Sequence, residues 1–274
     1  MLRHDRRRFL QALAVLAGTA GTPEASDAAG AVSSREAGEA SSRTASGSGL
    51  IVVTTPRGNI GRQVLERLLQ SGSRIRVVDR DPSRLPEHVR QRVEIVAGSH
   101  ADSSVVNRAF KGADAVFWVC PPDPRSDSVE KAYLEFTRPA CEAIRSHRVE
   151  RVVSVSALGR GTELAKHAGY VTASLAMDDL LASTGAHFRA LTMPSFMDNL
   201  LRQVEPIRAQ GVFFSPISGD LKAPTCATRD IGAAATKLLL DRSWTGRGSV
   251  AVLGPEDLSF NDMARIMSDV LGKP

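Results

Sequence analysis

One short stretch of this chain has the residue types and spacing to hold a phosphate. Residues 54–61 read TTPRGNIG, at the point where an apolar, β-branched run hands over to an amphipathic pattern. A helix that starts there leaves the N–H groups of Asn59, Ile60 and Gly61 without intrahelical partners and turns the positive end of its dipole outward. Both features favour an anion, a pyrophosphate in particular. In the three-glycine turn that brings backbone close to a dinucleotide, Gly58 and Gly61 fill the second and third places and Thr55 stands in the first. A side chain at that first place is a departure, because the turn often needs backbone freedom that only glycine has, and it should weaken binding without abolishing it. The competing reading is a flavodoxin-like or other doubly wound fold that uses the glycines for packing alone.

Beyond the next strand, Asp79 and Arg80 argue in opposite directions. An acid about 20 residues past the glycines accepts hydrogen bonds from ribose hydroxyls and selects NAD, whereas an Arg there pairs with the 2′-phosphate of NADP. Arg57, inside the phosphate loop, adds a second guanidinium at the same corner and tilts the balance towards NADP. The plain alternative for Asp79 and Arg80 is a solvated turn with a local ion pair.

These residues need a scaffold, and the hydrophobic pattern supplies one. Strand-like runs at 50–54, 74–79, 93–97, 115–120, 151–156 and 187–192 alternate with helical patterns at 59–70, 82–92, 103–111, 128–147 and 171–183. That alternation predicts an α/β, doubly wound parallel sheet of Rossmann type with right-handed crossovers, and the apolar strands 1, 4 and 5 read as its centre. A Rossmann core over about 50–194 would then be followed by a smaller C-terminal lobe over 195–274. Its last helix has Ser259 as N-cap and Phe260, Met263, Ile266, Met267 and Val270 on one face.

Composition excludes other classes. With 274 residues, 42% hydrophobic and 24% charged, the chain is neither fibrous nor disordered throughout. The net charge of +5 is scattered, which argues against a nucleic-acid surface. Cys120, Cys141 and Cys226 form neither a metal-ligand pattern nor a disulfide framework, so no metal is expected.

The N-terminus reads separately. Arg3, Arg6, Arg7 and Arg8 precede Phe9, Leu10 and an Ala-rich run too short to span a bilayer, in the manner of a twin-arginine signal over 1–31 with a small-residue cleavage site at 29–31. Residues 32–49, rich in Ser, Gly and Ala, read as a disordered linker. Export to the periplasm as a folded, cofactor-loaded protein is the expectation; a cytoplasmic protein with a basic, Ala-rich tail is the alternative.

Taken together, residues 52–61 (VVTTPRGNIG), 80–82 (RDP), 114–122 (DAVFWVCPP), 152–159 (VVSVSALG), 193–200 (MPSFMDNL), 229–232 (RDIG) and 253–259 (LGPEDLS) resemble the NmrA-like group of atypical short-chain dehydrogenases/reductases. The resemblance covers most of 50–274. It implies that Cys120, Pro121 and Pro122 run along the cofactor's ribose and phosphates, that Met193 to Phe196, Pro194 among them, border the nicotinamide, and that a small-molecule substrate lies between these and the C-terminal lobe. It also implies departures. Ser99 stands where an acid near the adenine is usual, and the family's Tyr with Lys four residues on is absent, since Tyr170 is followed at that spacing by Ser174. Without that Lys, Tyr170 is a poor proton donor; Lys166, one turn the other way, and Ser156, at the end of strand five, are the remaining candidates for acid–base work or carbonyl polarisation. Family members continue past the counterpart of 270–274, so an open substrate pocket is expected here. The leading expectation is an NAD(P)H-dependent oxidoreductase acting on a small carbonyl or quinone, with a homodimer conceivable. The alternatives are a non-catalytic NAD(P)-sensing regulator and a truncated, inactive family member.

Overall fold

The computed structural model describes residues 49–121 and 125–273. The signal peptide, its cleavage site, all but the last residue of the linker, and Pro122 lie outside the described residues.

Strand β1 (Leu50–Thr54) is buried at every position, and helix α1 (Asn59–Gln70) buries Ile60, Val64, Leu65, Leu68 and Leu69 against the sheet, the stripe its 3.6-residue period dictates. The pattern repeats through β2 (Arg74–Asp79), α2 (Glu87–Arg90), β3 (Glu94–Ala97), α3 (Ser103–Phe110), β4 (Ala115–Trp118), α4 (Phe136–His147), β5 (Arg151–Ala157), α5 (Tyr170–Ala182) and β6 (His187–Met193). All pair in parallel, and a seventh strand, β9 (Arg247–Ala251), closes the sheet in the order β3-β2-β1-β4-β5-β6-β9. The fold is the expected α/β Rossmann-type sheet, with β1, β4 and β5 at its centre. Its two faces carry separate cores, one around Val64, Leu68 and Phe117, the other around Phe110, Trp118 and Ile144.

Two expectations fail locally. The helix expected over 82–92 is a short 3-10 turn, Pro82–Arg84, and then the single turn α2. Pro86 is the cause: it forbids helical backbone at the preceding residue, and Leu85 is extended at ψ 139°. Strand β9 was not foreseen, because RGSVA is a polar edge strand exposed at four of its five positions and carries no apolar alternation.

Residues after 195 divide between two bodies. A three-stranded sheet of β7 (Ser195–Phe196), β8 (Ala223–Cys226) and β10 (Asp257–Leu258), with α6 (Val204–Gln210) and α8 (Phe260–Leu271), forms the small lobe. Helix α7 (Thr228–Leu240) and β9 instead join the main body. Helix α7 packs so closely on α1 that a Cβ at Gly232 would lie 2.5 Å from Gln63 Cβ. Among the described residues no helix is long and apolar enough to cross a membrane.

Candidate functional site

The strand order reverses between β1 and β4, and the loop after β1 opens on the crevice at their carboxyl ends. Thr54 braces that crevice: its hydroxyl donates to Phe117 O (2.9 Å) and accepts from Val119 N–H (3.0 Å), extending the β1–β4 contact beyond the last strand pair. Thr55 then takes the left-handed conformation, φ 52°, at the place where the sequence lacks the first glycine. A β-branched residue held there costs about 1–3 kcal/mol. The turn nevertheless closes, with Gly58 N–H donating to Thr55 O at 2.9 Å. The same carbonyl explains the last glycine, because a Cβ at Gly61 would sit 2.1 Å from Thr55 O. Helix α1 has no side-chain cap and no acid in its first turn, so Asn59, Ile60 and Gly61 present their N–H groups to the crevice.

Arg57 reaches across the loop to Asp79, its Nε donating to Oδ2 (2.8 Å) and its Nη2 to Oδ1 (3.0 Å). Asp79 is buried and also accepts from Asp81 N–H at 2.8 Å, so its oxygens are already engaged. Arg57 is partly exposed and its pKa is raised, chiefly by the hydrogen bond to Asp79. Arg80 points to solvent and makes no ion pair among the described residues. Ser99 lies past β3, and its neighbour His100, which sequence reasoning missed, is buried against Trp118 and Phe136 with Nε2 on Val119 O (3.0 Å). Burial pushes the His100 imidazole down to about 4, so it is a neutral wall.

Cys120 and Pro121 follow β4 at the same edge. The Cys120 thiol is buried, donates to Ala132 O (3.3 Å), and is pushed up to about 12 by burial, which makes it inert lining. Ser156, at the end of β5, donates to Asp178 of α5, a residue sequence reasoning missed; Ser154 donates to the other oxygen at 3.0 Å. Burial raises Asp178 to about 7 despite those two hydroxyls and Arg160, whose guanidinium is 3.8 Å away. Tyr170 and Lys166 are not brought together as a pair: Lys166 Nζ spends its hydrogen bonds on Glu163 (2.9 and 2.8 Å), and Tyr170 lies against the ring of Tyr133.

Past Pro194, Ser195 and Phe196 enter the wall of a cavity of about 190 Å³ in the small lobe, closed by the 3-10 turn Met197–Gln203, the loop at Phe214, strand β8 and the start of α8. Asp198 ties this turn to α7 by accepting from Thr228 N–H (2.8 Å) and Oγ1 (2.6 Å). Among the described residues no charged side chain lines the cavity.

Comparison with known proteins agrees with this geometry. The NAD(P)H-binding family matches over residues 57–242, about two thirds of the chain. The chain is 29% identical over 229 residues to a (4-alkanoyl-5-oxo-2,5-dihydrofuran-3-yl)methyl phosphate reductase of Streptomyces griseus, covering 82% of this chain and 75% of that one. It is 24% identical over 225 residues to the NAD(P)H azoreductase of Xenophilus azovorans, with the same coverage of 82% and 75%. Among solved structures, the NADPH-dependent quinone oxidoreductase QOR2 of Escherichia coli in complex with NADPH shares the fold at a TM-score of 0.68 and 19% identity, over 81% of this chain and 76% of that one.

Proposed function

The chain belongs to the NAD(P)H-binding family, and from that premise we propose that it is an NADPH-dependent oxidoreductase of the NmrA-like group that reduces a small carbonyl or quinone. The observation that carries the cofactor half is the start of α1: uncapped, free of acid in its first turn, and facing the crevice where the strand order reverses. The N–H groups of Asn59, Ile60 and Gly61 would hold the pyrophosphate. The crowding of Gly61 against Thr55 O sets how near the helix start comes to the strand end.

The pair Arg57–Asp79 favours NADP over NAD. Asp79 cannot accept from ribose hydroxyls without giving up bonds it already has, while Arg57 keeps N–H groups free for a 2′-phosphate and is held in place by Asp79. Arg80, unpaired at the rim, adds charge of the same sign. Ser99, Cys120 and Pro121 would line the adenosine and ribose, and Pro194 the nicotinamide.

The bound cofactor supplies a hydride. The protein's own part is positioning and exclusion of water, since no Tyr–Lys pair is assembled to deliver a proton. That suits an acceptor such as a quinone, whose reduced anion is stabilised by resonance and can take its proton from water. Two relatives of this chain are named as reductases, one of them of azo compounds, and a third protein of the same fold as a quinone reductase. The test is NADPH consumption with a panel of quinones and aldehydes; no turnover above the uncatalysed rate with any of them refutes the reading. The lack of a Tyr–Lys pair also fits a non-catalytic NADP sensor, which would have to bind the oxidised and reduced forms with different affinities. Equal affinities exclude it.

Export by the twin-arginine signal belongs to the same proposal. A reporter fused after residue 49 should leave the cytoplasm with the native leader and stay inside when Arg6, Arg7 and Arg8 become Lys.

A further inference from the structure

We propose that the cavity beside β8 is a binding site for a neutral, single-ring carbonyl or quinone compound, and that Thr225 donates the hydrogen bond that fixes its oxygen. This rests on the reading of the chain as an NAD(P)H-dependent reductase, and it names the substrate class that the small lobe selects.

Three observations converge. The first is Thr225 itself, 4% exposed, whose Oγ1 has no hydrogen-bond partner. A buried hydroxyl without a partner is costly, and such groups mark places where a ligand or water completes the bonding. Ala223 and Thr225, two apart on the strand, both line the cavity, while Cys226 packs into the core under the main sheet. The second is size. The cavity holds about 190 Å³, and an engineered apolar cavity of about 150 Å³ accommodates benzene, so one ring with small substituents fits and three fused rings do not.

The third is charge. Ten of the fifteen lining residues are apolar, Phe196, Met197, Phe214, Phe260 and Met263 among them, and no Lys, Arg or His of the described residues joins them. A phosphate ester, the substrate named for the Streptomyces griseus relative, would lose its hydration there without gaining a counter-charge. Of the two amide side chains in the wall, Asn199 is exposed and Gln203 is spent on the backbone of Phe214, donating to its O (2.9 Å) and accepting from its N–H (2.7 Å). Gln203 pins the aromatic wall; of the other polar lining side chains, Ser195, Asn199, Ser215 and Thr225, it is Thr225 that is buried without a partner, which makes it the orienting group. Because the wall begins at Ser195, directly after Pro194, a ring held here lies next to the segment proposed to border the nicotinamide.

The experiment uses the full chain with ¹³C-methyl-labelled methionine, titrated with 2,6-dimethylbenzoquinone and, separately, with phenyl phosphate. All three thiols are buried, which protects them from quinone addition. The quinone should shift the methyl signals of Met197 and Met263 and leave Met177, in the opposite core, unmoved. Phenyl phosphate should shift none. Thr225→Val should weaken quinone binding about five- to tenfold, and Thr225→Ser, which keeps the hydroxyl, should bind like the native chain. The proposal is overturned if the two methyls do not move, if Thr225→Val binds as tightly as the native chain, or if phenyl phosphate binds there as well as the quinone. NADPH titration of the same samples separates the two levels: normal NADPH binding and turnover with silent methyls sinks the cavity and spares the reductase reading, whereas Thr225-dependent methyl shifts with no NADPH oxidation sink the reductase reading and spare the cavity.

Discussion

Replacing Asp178 by Asn should change how stability depends on pH, with a sign the structure determines. The Asp178 carboxyl is 2% exposed, accepts from Ser154 and Ser156, and is raised from 3.8 to about 7 by burial, with the two hydroxyls and Arg160 opposing. A carboxyl raised in the fold stabilises the native state below its unfolded pKa, and that contribution is lost as pH climbs through about 7, a change of about 4 kcal/mol. His100 works the other way. Burial lowers its ring to about 4, so its contribution is complete above 6.5 and is lost as pH falls towards about 4, a change of about 3 kcal/mol. Between pH 5 and 7 the loss from Asp178, about 2 kcal/mol, and the gain from His100, about 2 kcal/mol, nearly cancel in the native chain. Asp178→Asn should therefore unmask a rise of about 2 kcal/mol over that range, and His100→Gln a fall of about 2 kcal/mol. Urea midpoints read by fluorescence of the buried Trp118 measure both, provided the slope with denaturant is constant. If Asp178→Asn follows the native profile, Asp178 is ionised in the fold and the argument from burial fails.

Three further outcomes follow from the phosphate loop and the thiols. Arg57→Ala should cost about tenfold or more in NADPH affinity by calorimetry while changing NADH affinity little, and should lower stability by about 1–2 kcal/mol because Asp79 is left buried without its partner. Equal losses for both nucleotides would remove the case for NADP. Gly61→Ala should abolish cofactor binding and cost about 1–3 kcal/mol in thermal unfolding, since its Cβ would stand 2.1 Å from Thr55 O; a variant that binds normally would show that the loop is not the cradle. Cys120, Cys141 and Cys226, each buried and pushed up to about 12, should resist a thiol reagent in the native chain and react fully in denaturant, so prompt labelling of the folded protein would contradict their burial.

Much of the sheet was legible because its central strands are buried on both faces and read as unbroken apolar runs: LIVVT in β1 and AVFW in β4 admit little else. Strand β9 was not legible for the converse reason. At an edge, pairing with β6 through backbone alone imposes no pattern on RGSVA. Nor does sequence position say which body a segment joins; α7 returns to the main sheet because Gly232 lets it settle on α1, a contact between residues far apart in the chain.

At the site, local chemistry could be read and pairing could not. The glycine spacing located the loop, and Thr55, in the first glycine's place, adopts the left-handed backbone that glycine takes most readily. Arg57 could be placed at the corner of Asp79 and Arg80 from sequence, but not its pairing: that it occupies both Asp79 oxygens, 22 residues on, is visible only in the fold. Asp178 and Thr225 carry no motif at all. What distinguishes Asp178 is a carboxyl surrounded by two hydroxyls in a dry layer, and what distinguishes Thr225 is a hydroxyl with nothing to bond. Both are properties of surroundings built by distant segments, so a specificity filter made of such groups leaves no mark in linear order, whereas a backbone turn that needs particular glycines does. The two regions are constrained differently: the loop by one crowded carbonyl, the cavity only by being apolar, ring-sized and bordered by one hydroxyl short of a hydrogen bond.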